Sequence, residues 1–170
     1  VTEQALHFGR VDLALLVTRA VAKKLTVGTA ESLTAGMVAA VLAQVPGASA
    51  VLQGGVIAYQ NKVKEKLLGV SPVLLTRNGA VDPHVASEMA LGACAAVGAR
   101  VGISTTGVAG PEPHQGKPVG QVFVGVALDG VARAREFHFV GDRESIRNQA
   151  TEAALMMLLE SIEESREQNL

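Results

Sequence analysis

Short apolar runs of strand length alternate along this chain with longer stretches of helical period, and that alternation admits few folds. "LTVGTA" (25–30), "ASAVLQGGVIAYQ" (48–60) and "RVGISTT" (100–106) read as strands. Gly54-Gly55 marks a bulge or a close backbone approach within the second. "RVDLALLVTRAVAKK" (10–24) and "TAGMVAAVLAQV" (34–45) read as helices, the latter stopped by Pro46-Gly47. A Lys-rich helical turn, "NKVKEKLLG", and a short helix around 72–77 follow. Asp82-Pro83 is an N-cap and first-residue pair for a helix over 83–97. "QVFVGVAL" and "VARAREFHFV" form a hairpin about Asp129-Gly130, and Asp142 caps a last helix over 143–164. Strands interleaved with helices predict a three-layer α/β/α sandwich. The late hairpin makes its β-sheet mixed.

Composition narrows the function classes. At 170 residues the chain is expected to be one domain with a full core. Hydrophobic residues make up 48% and charged residues 18%, which excludes a disordered tail. With no Trp and one Tyr, that core is aliphatic. A net charge of -1 gives no reason to expect a nucleic-acid surface, so no nucleic-acid partner is expected, while a buried or local basic site stays open. Cys94 is the only cysteine, which excludes an internal disulfide and favours a reducing compartment. No apolar run is long enough to span a bilayer and no signal-peptide pattern opens the chain. The expectation is a soluble, cytoplasmic protein with no membrane partner.

Ligands of such folds sit beyond the carboxyl ends of the strands. Segments 30–35, 59–64, 106–118 and 141–147 qualify by position. In "TAESLTAG" (29–36), Ser32 or Thr34 could cap the following helix. Equally, the amides around Thr34 to Gly36 could hold an anion beside a nucleophilic Ser32. A serine needs a base, and His7, His84, His114 and His138 all sit in unpromising places. Lysine is the alternative where burial lowers its pKa, and "AYQNKVKEK" supplies Lys62, Lys64 and Lys66 just past a strand. No metal-ligand spacing is present. The loop "TTGVAGPEPHQGKPVG" is too long for a plain turn, and its glycines let backbone amides approach a ligand. Arg143 falls in a first helical turn, where the macrodipole disfavours a cation unless an anion joins it.

Several collinear segments carry a resemblance: "TAESLTAG", "VPGASAVLQGGVIAYQNKVKEKLLGV", "GAVDPHVASEMA", "GISTTGVAGP", "KPVG" and "GDRESIRNQAT". Together they resemble the C-terminal domain of the competence/damage-inducible protein CinA, over nearly the whole chain. That domain also occurs alone as a bacterial nicotinamide mononucleotide deamidase. The resemblance implies hydrolysis of a pyridine mononucleotide's carboxamide to nicotinate mononucleotide and ammonia. It implies no metal or other cofactor, and a homo-oligomer, with a dimer favoured. It gives Ser32 as nucleophile and Lys64 as base, with Tyr59 relaying or positioning the proton. Candidate substrate-binding residues are Glu31, Thr34, Ala35 and Gly36 around the serine; Thr106, Gly107, Ala109 and Gly110 in the glycine loop; and Arg143 and Arg147. Leu33 and Ala35 stand where the family usually has Cys and Gly.

Lys62 is the rival base. Residues 62 and 64 lie about 200° apart on a helix, and Lys64 shares a face with Leu67 and Leu68, both expected in the core. Helical geometry therefore selects Lys64. A non-catalytic nucleotide-binding or regulatory domain, linked to competence or DNA damage, is the alternative function.

Overall fold

The computed structural model describes residues 6–165. A small antiparallel pair, β1 (His7–Phe8) and β2 (Val11–Asp12), precedes α1 (Leu13–Ala22). Then come β3 (Val27–Glu31), α2 (Met37–Ala43), a single 3₁₀ turn (Ala48–Ala50) and β4 (Leu52–Ile57). Three helices follow: α3 (Asn61–Leu68), α4 (Pro72–Asn78) and α5 (Pro83–Val97). The chain finishes with β5 (Val101–Gly107), the hairpin β6 (Gln121–Leu128) and β7 (Val131–His138), and α6 (Arg143–Glu164).

The five-stranded sheet has the order β4-β3-β5-β6-β7. β3 runs parallel to both β4 and β5, whereas β6 is antiparallel to β5 and β7. Side-chain alternation divides the core. Val122, Val124 and Val126 of β6 join the cluster built with α1, α2 and α6. Phe123 points the other way and packs with Val81 and Ala86. Val85, Met89 and Ala93 of α5 cover the same face farther along, with Leu68 and Leu75. The result is the expected three-layer sandwich with a mixed sheet.

The bounds of α5 and α6 match the sequence reading. β6 and β7 form the expected hairpin, with β7 ending at His138 rather than at residue 140. β4 covers only 52–57 of the strand expected over 48–60, whose start is a 3₁₀ turn, and two helix starts differ. Residues 10–12 are not helical: Val11–Asp12 forms β2, and the Asp12 carboxylate caps α1 by accepting from the Leu15 amide at 2.9 Å. α2 begins at Met37 rather than at residue 34. Within β4, a Cβ on Gly55 would collide with the Thr29 side chain, so Gly55 is the close approach between neighbouring strands. No described helix is long and apolar enough to cross a membrane.

Parallel register brings Glu31, Ile57 and Gly107 to one edge of the sheet. Gly107 pairs with Val122 and Gln121 with His138, so the glycine loop and the run into α6 leave from that same edge.

Candidate active site

The chain leaves β3 through a tight turn. The Ser32 amide donates to Thr105 O at 3.0 Å, and the Ala35 amide donates back to Ser32 O at 3.1 Å. Ala35 has φ +48° and Gly36 φ +99°, both in the left-handed region. Glu31, 1% exposed, reaches past this turn to the start of α2. Its carboxylate accepts from Val38 N at 2.8 Å, Ala39 N at 3.1 Å and Thr34 Oγ1 at 2.7 Å. Thr34 Oγ1 also lies 2.8 Å from Thr105 Oγ1. Glu31 is therefore the side-chain cap of α2, and Ser32 and Thr34 are not. A carboxylate satisfies two orphan amides and suits the positive end of the helix.

Ser32 Oγ faces a different partner. Lys64, on α3, is 1% exposed. Its Nζ lies 3.2 Å from Ser32 Oγ, 2.7 Å from Ala58 O and 3.2 Å from Tyr59 O, with no carboxylate partner among the described residues. Burial penalises the ammonium and lowers its pKa to about 8. Lys62 is exposed. The helical reading holds for Leu68, buried one turn after Lys64, and fails for Leu67, which is 51% exposed. This short helix buries a single stripe against α5, and only the fourth-residue spacing stays on it.

A cleft of about 890 Å³ opens over this pair. Ser32, Leu33, residues 59–62, Lys64, Ala80, Val81, residues 106–115 and Arg143 line it. The structure thus brings Ser32, Tyr59, Lys64, Thr106, Gly107, Ala109, Gly110 and Arg143 together. Arg143 donates to Tyr59 Oη at 2.8 Å and to Gly110 O at 2.7 Å, tying two walls with neutral partners only. Thr106 Oγ1 is committed to Ala80 O at 2.7 Å.

Other expected residues lie outside the cleft. Glu31 and Thr34 are buried in the capping network, and Ala35 and Gly36 shape the turn behind Ser32. Arg147 turns to the main chain, donating to Leu33 O at 2.8 Å and Thr34 O at 3.4 Å. The Ala35 amide is consumed by the turn, so the free donors here are the amides of Leu33, Thr34 and Gly36. Tyr59 is corrected as well. Its hydroxyl bonds Arg143, and only its carbonyl reaches Lys64, so the phenol has no bonded route to Ser32.

Sequence reasoning missed the Ala58 carbonyl, which makes the shorter of the two bonds from Lys64 to main chain. Its place directly past β4 was the available signal. Among the described residues, no group of three or more His, Cys, Asp and Glu could hold a metal ion.

The model of the CinA C-terminal domain matches residues 12–162. This chain belongs to that family. A competence-damage inducible protein of Clostridium perfringens is 43% identical over 157 residues, covering 91% of this chain and 38% of the relative. A CinA-like protein of Frankia casuarinae is 43% identical over 145 residues, covering 85% of this chain and 33% of the relative. The chain thus spans well under half the length of these relatives. Among solved structures, a CinA superfamily protein from Klebsiella pneumoniae superposes with TM-score 0.87 at 28% identity, covering 90% of this chain and 96% of that one. A competence/damage-inducible protein from Agrobacterium tumefaciens gives TM-score 0.81 at 34% identity, with 91% and 97% covered. The mixed sheet is thus that of the CinA fold.

Proposed function

We propose that this CinA domain is an amidohydrolase that removes the carboxamide nitrogen of nicotinamide mononucleotide. One observation carries the reading: a buried lysine without a carboxylate partner holds its Nζ 3.2 Å from Ser32 Oγ. With its pKa at about 8, roughly a tenth of Lys64 is neutral at pH 7, against about one part in several thousand for a solvated lysine. A neutral amine has two N–H donors and one lone pair. Ala58 O and Tyr59 O take the donors, which leaves the lone pair for the Ser32 hydroxyl proton.

Ser32 Oγ then attacks the carboxamide carbon while Lys64 takes the proton. The C–N bond breaks as Lys64 returns that proton to the leaving nitrogen, giving ammonia and an ester on Ser32. Water, deprotonated by Lys64, cleaves the ester to the carboxylate and restores the hydroxyl. Arg143 supplies the cation for the substrate phosphate, and the aromatic ring of Tyr59 forms a wall of the cleft. The test is ammonia release from nicotinamide mononucleotide by the purified protein, with nicotinate mononucleotide identified as the other product. The relatives' competence-damage names favour the second reading, a regulatory nucleotide-binding domain. Nucleotide binding with no ammonia would select it.

A further inference from the structure

Among the described residues Arg147 has no carboxylate partner, and it does not line the cleft; its Nε and one Nη donate instead to main chain. The two carbonyls it holds, Leu33 O and Thr34 O, belong to the four-residue turn that Ala35 N closes onto Ser32 O. The Leu33–Thr34 peptide is the middle peptide of that turn. Flipping it by about 180° is what separates the two common turn types. In a trans peptide the N–H opposes the carbonyl. Holding Leu33 O against Arg147 therefore fixes the Thr34 amide to point away from the guanidinium. Thr34 is 0% exposed and Leu33 4% exposed, and neither amide has an acceptor among the described residues. Buried unpaired N–H groups are rare and unfavourable unless a ligand takes them. Of the two, only Leu33 lines the cleft, and its amide immediately follows the residue whose oxygen attacks the carboxamide.

We propose that Arg147 is a positioning residue: by holding the Leu33 and Thr34 carbonyls it fixes the Ser32 turn so that the Leu33 amide, at the cleft wall, serves as an oxyanion donor. The proposal rests on the reading of Ser32 as nucleophile. Arg147→Met keeps the apolar stem and removes both bonds, and Arg147→Lys keeps one cationic donor. On nicotinamide mononucleotide and on its phosphate-free riboside alike, Arg147→Met should lose about 10- to 100-fold in kcat, the scale of a misplaced oxyanion donor. KM and the thermal midpoint should hold, and Arg147→Lys should recover part of the loss. A KM increase confined to the mononucleotide would show instead that Arg147 reads the phosphate. An unchanged kcat in the folded variant would equally overturn the proposal.

A second readout separates this proposal from the choice of substrate. A phosphonofluoridate probe should label Ser32 of the wild-type protein, and label it more slowly by a similar factor in Arg147→Met. If no ammonia is released but this slowing is seen, the substrate assignment fails and the role of Arg147 stands. Equal labelling rates overturn it, and a wild-type Ser32 that takes no label overturns both. Should Arg147→Met fail to fold, the Arg147→Lys rates decide.

Discussion

At Lys64, burial sets both the chemistry and the pH dependence. Lys64→Met is expected to abolish turnover, whereas Lys62→Met, altering an exposed side chain at the rim, should keep most of it. The wild-type pH profile of kcat/KM should rise along a limb centred near the Lys64 pKa of about 8. Stability follows the same proton. The folded pKa lies below the unfolded one, so between about pH 8 and 10.5 the unfolded chain binds more protons. Unfolding free energy should then rise with pH across that window, by up to about 3 kcal/mol, and the gain should be missing in Lys64→Met. Urea titrations of both proteins at pH 8 and pH 10 measure the difference. Ala35 gives a prediction of opposite character. A left-handed alanine costs about 1–2 kcal/mol, partly offset by glycine's freedom when unfolded. Ala35→Gly should therefore stabilise the protein by about 0.5–1 kcal/mol. Because Ala35 lies outside the cleft, its kinetics should be unchanged.

Among the elements, the turn from β3 into α2 shows what a sequence displays and what it conceals. Asp82-Pro83 and Asp142 announced α5 and α6 because a local cap leaves a local signature. α2 was misplaced because its cap, Glu31, sits several residues upstream and works across a turn that only left-handed residues can make. Ser32 and Thr34 had the right chemistry for capping and were the nearer candidates. The contacts of Arg147 are concealed for a related reason. Its partners at Leu33 and Thr34 lie more than a hundred residues away in sequence, and periodicity carries no record of such a contact. The placement of Lys64 was legible because one turn of helix sufficed to order it against Leu68. Glu31→Gln tests the cap. An amide cannot offer both helix amides a carboxylate oxygen, and losing charged hydrogen bonds costs about 1.5–3 kcal/mol. The thermal midpoint should fall, and kcat should fall with it as the Ser32 turn loses its anchor.

Viewed as a whole, the molecule uses one sheet edge to bring together groups far apart in sequence: the turn after β3, the first turn of α3, the glycine loop and the first residue of α6. The interleaved strands and helices foretold that edge, since parallel strands must end together. They could not foretell that Arg143 would bridge Tyr59 to Gly110 across the cleft. Arg143→Ala removes the bridge and an exposed cation whose partners in the cleft are neutral. KM should rise far more for nicotinamide mononucleotide than for nicotinamide riboside, and equal increases would assign Arg143 to the walls rather than to the phosphate. The role of Ser32 is tested most directly by the rate of ammonia release by Ser32→Ala beside wild type. Among the described residues the Ser32 side chain bonds only Lys64, so its loss should cost no more than about 1.5 kcal/mol and leave the fold intact. Wild type should release ammonia and folded Ser32→Ala none above background; release at a near wild-type rate from that variant would rule out Ser32 as the nucleophile.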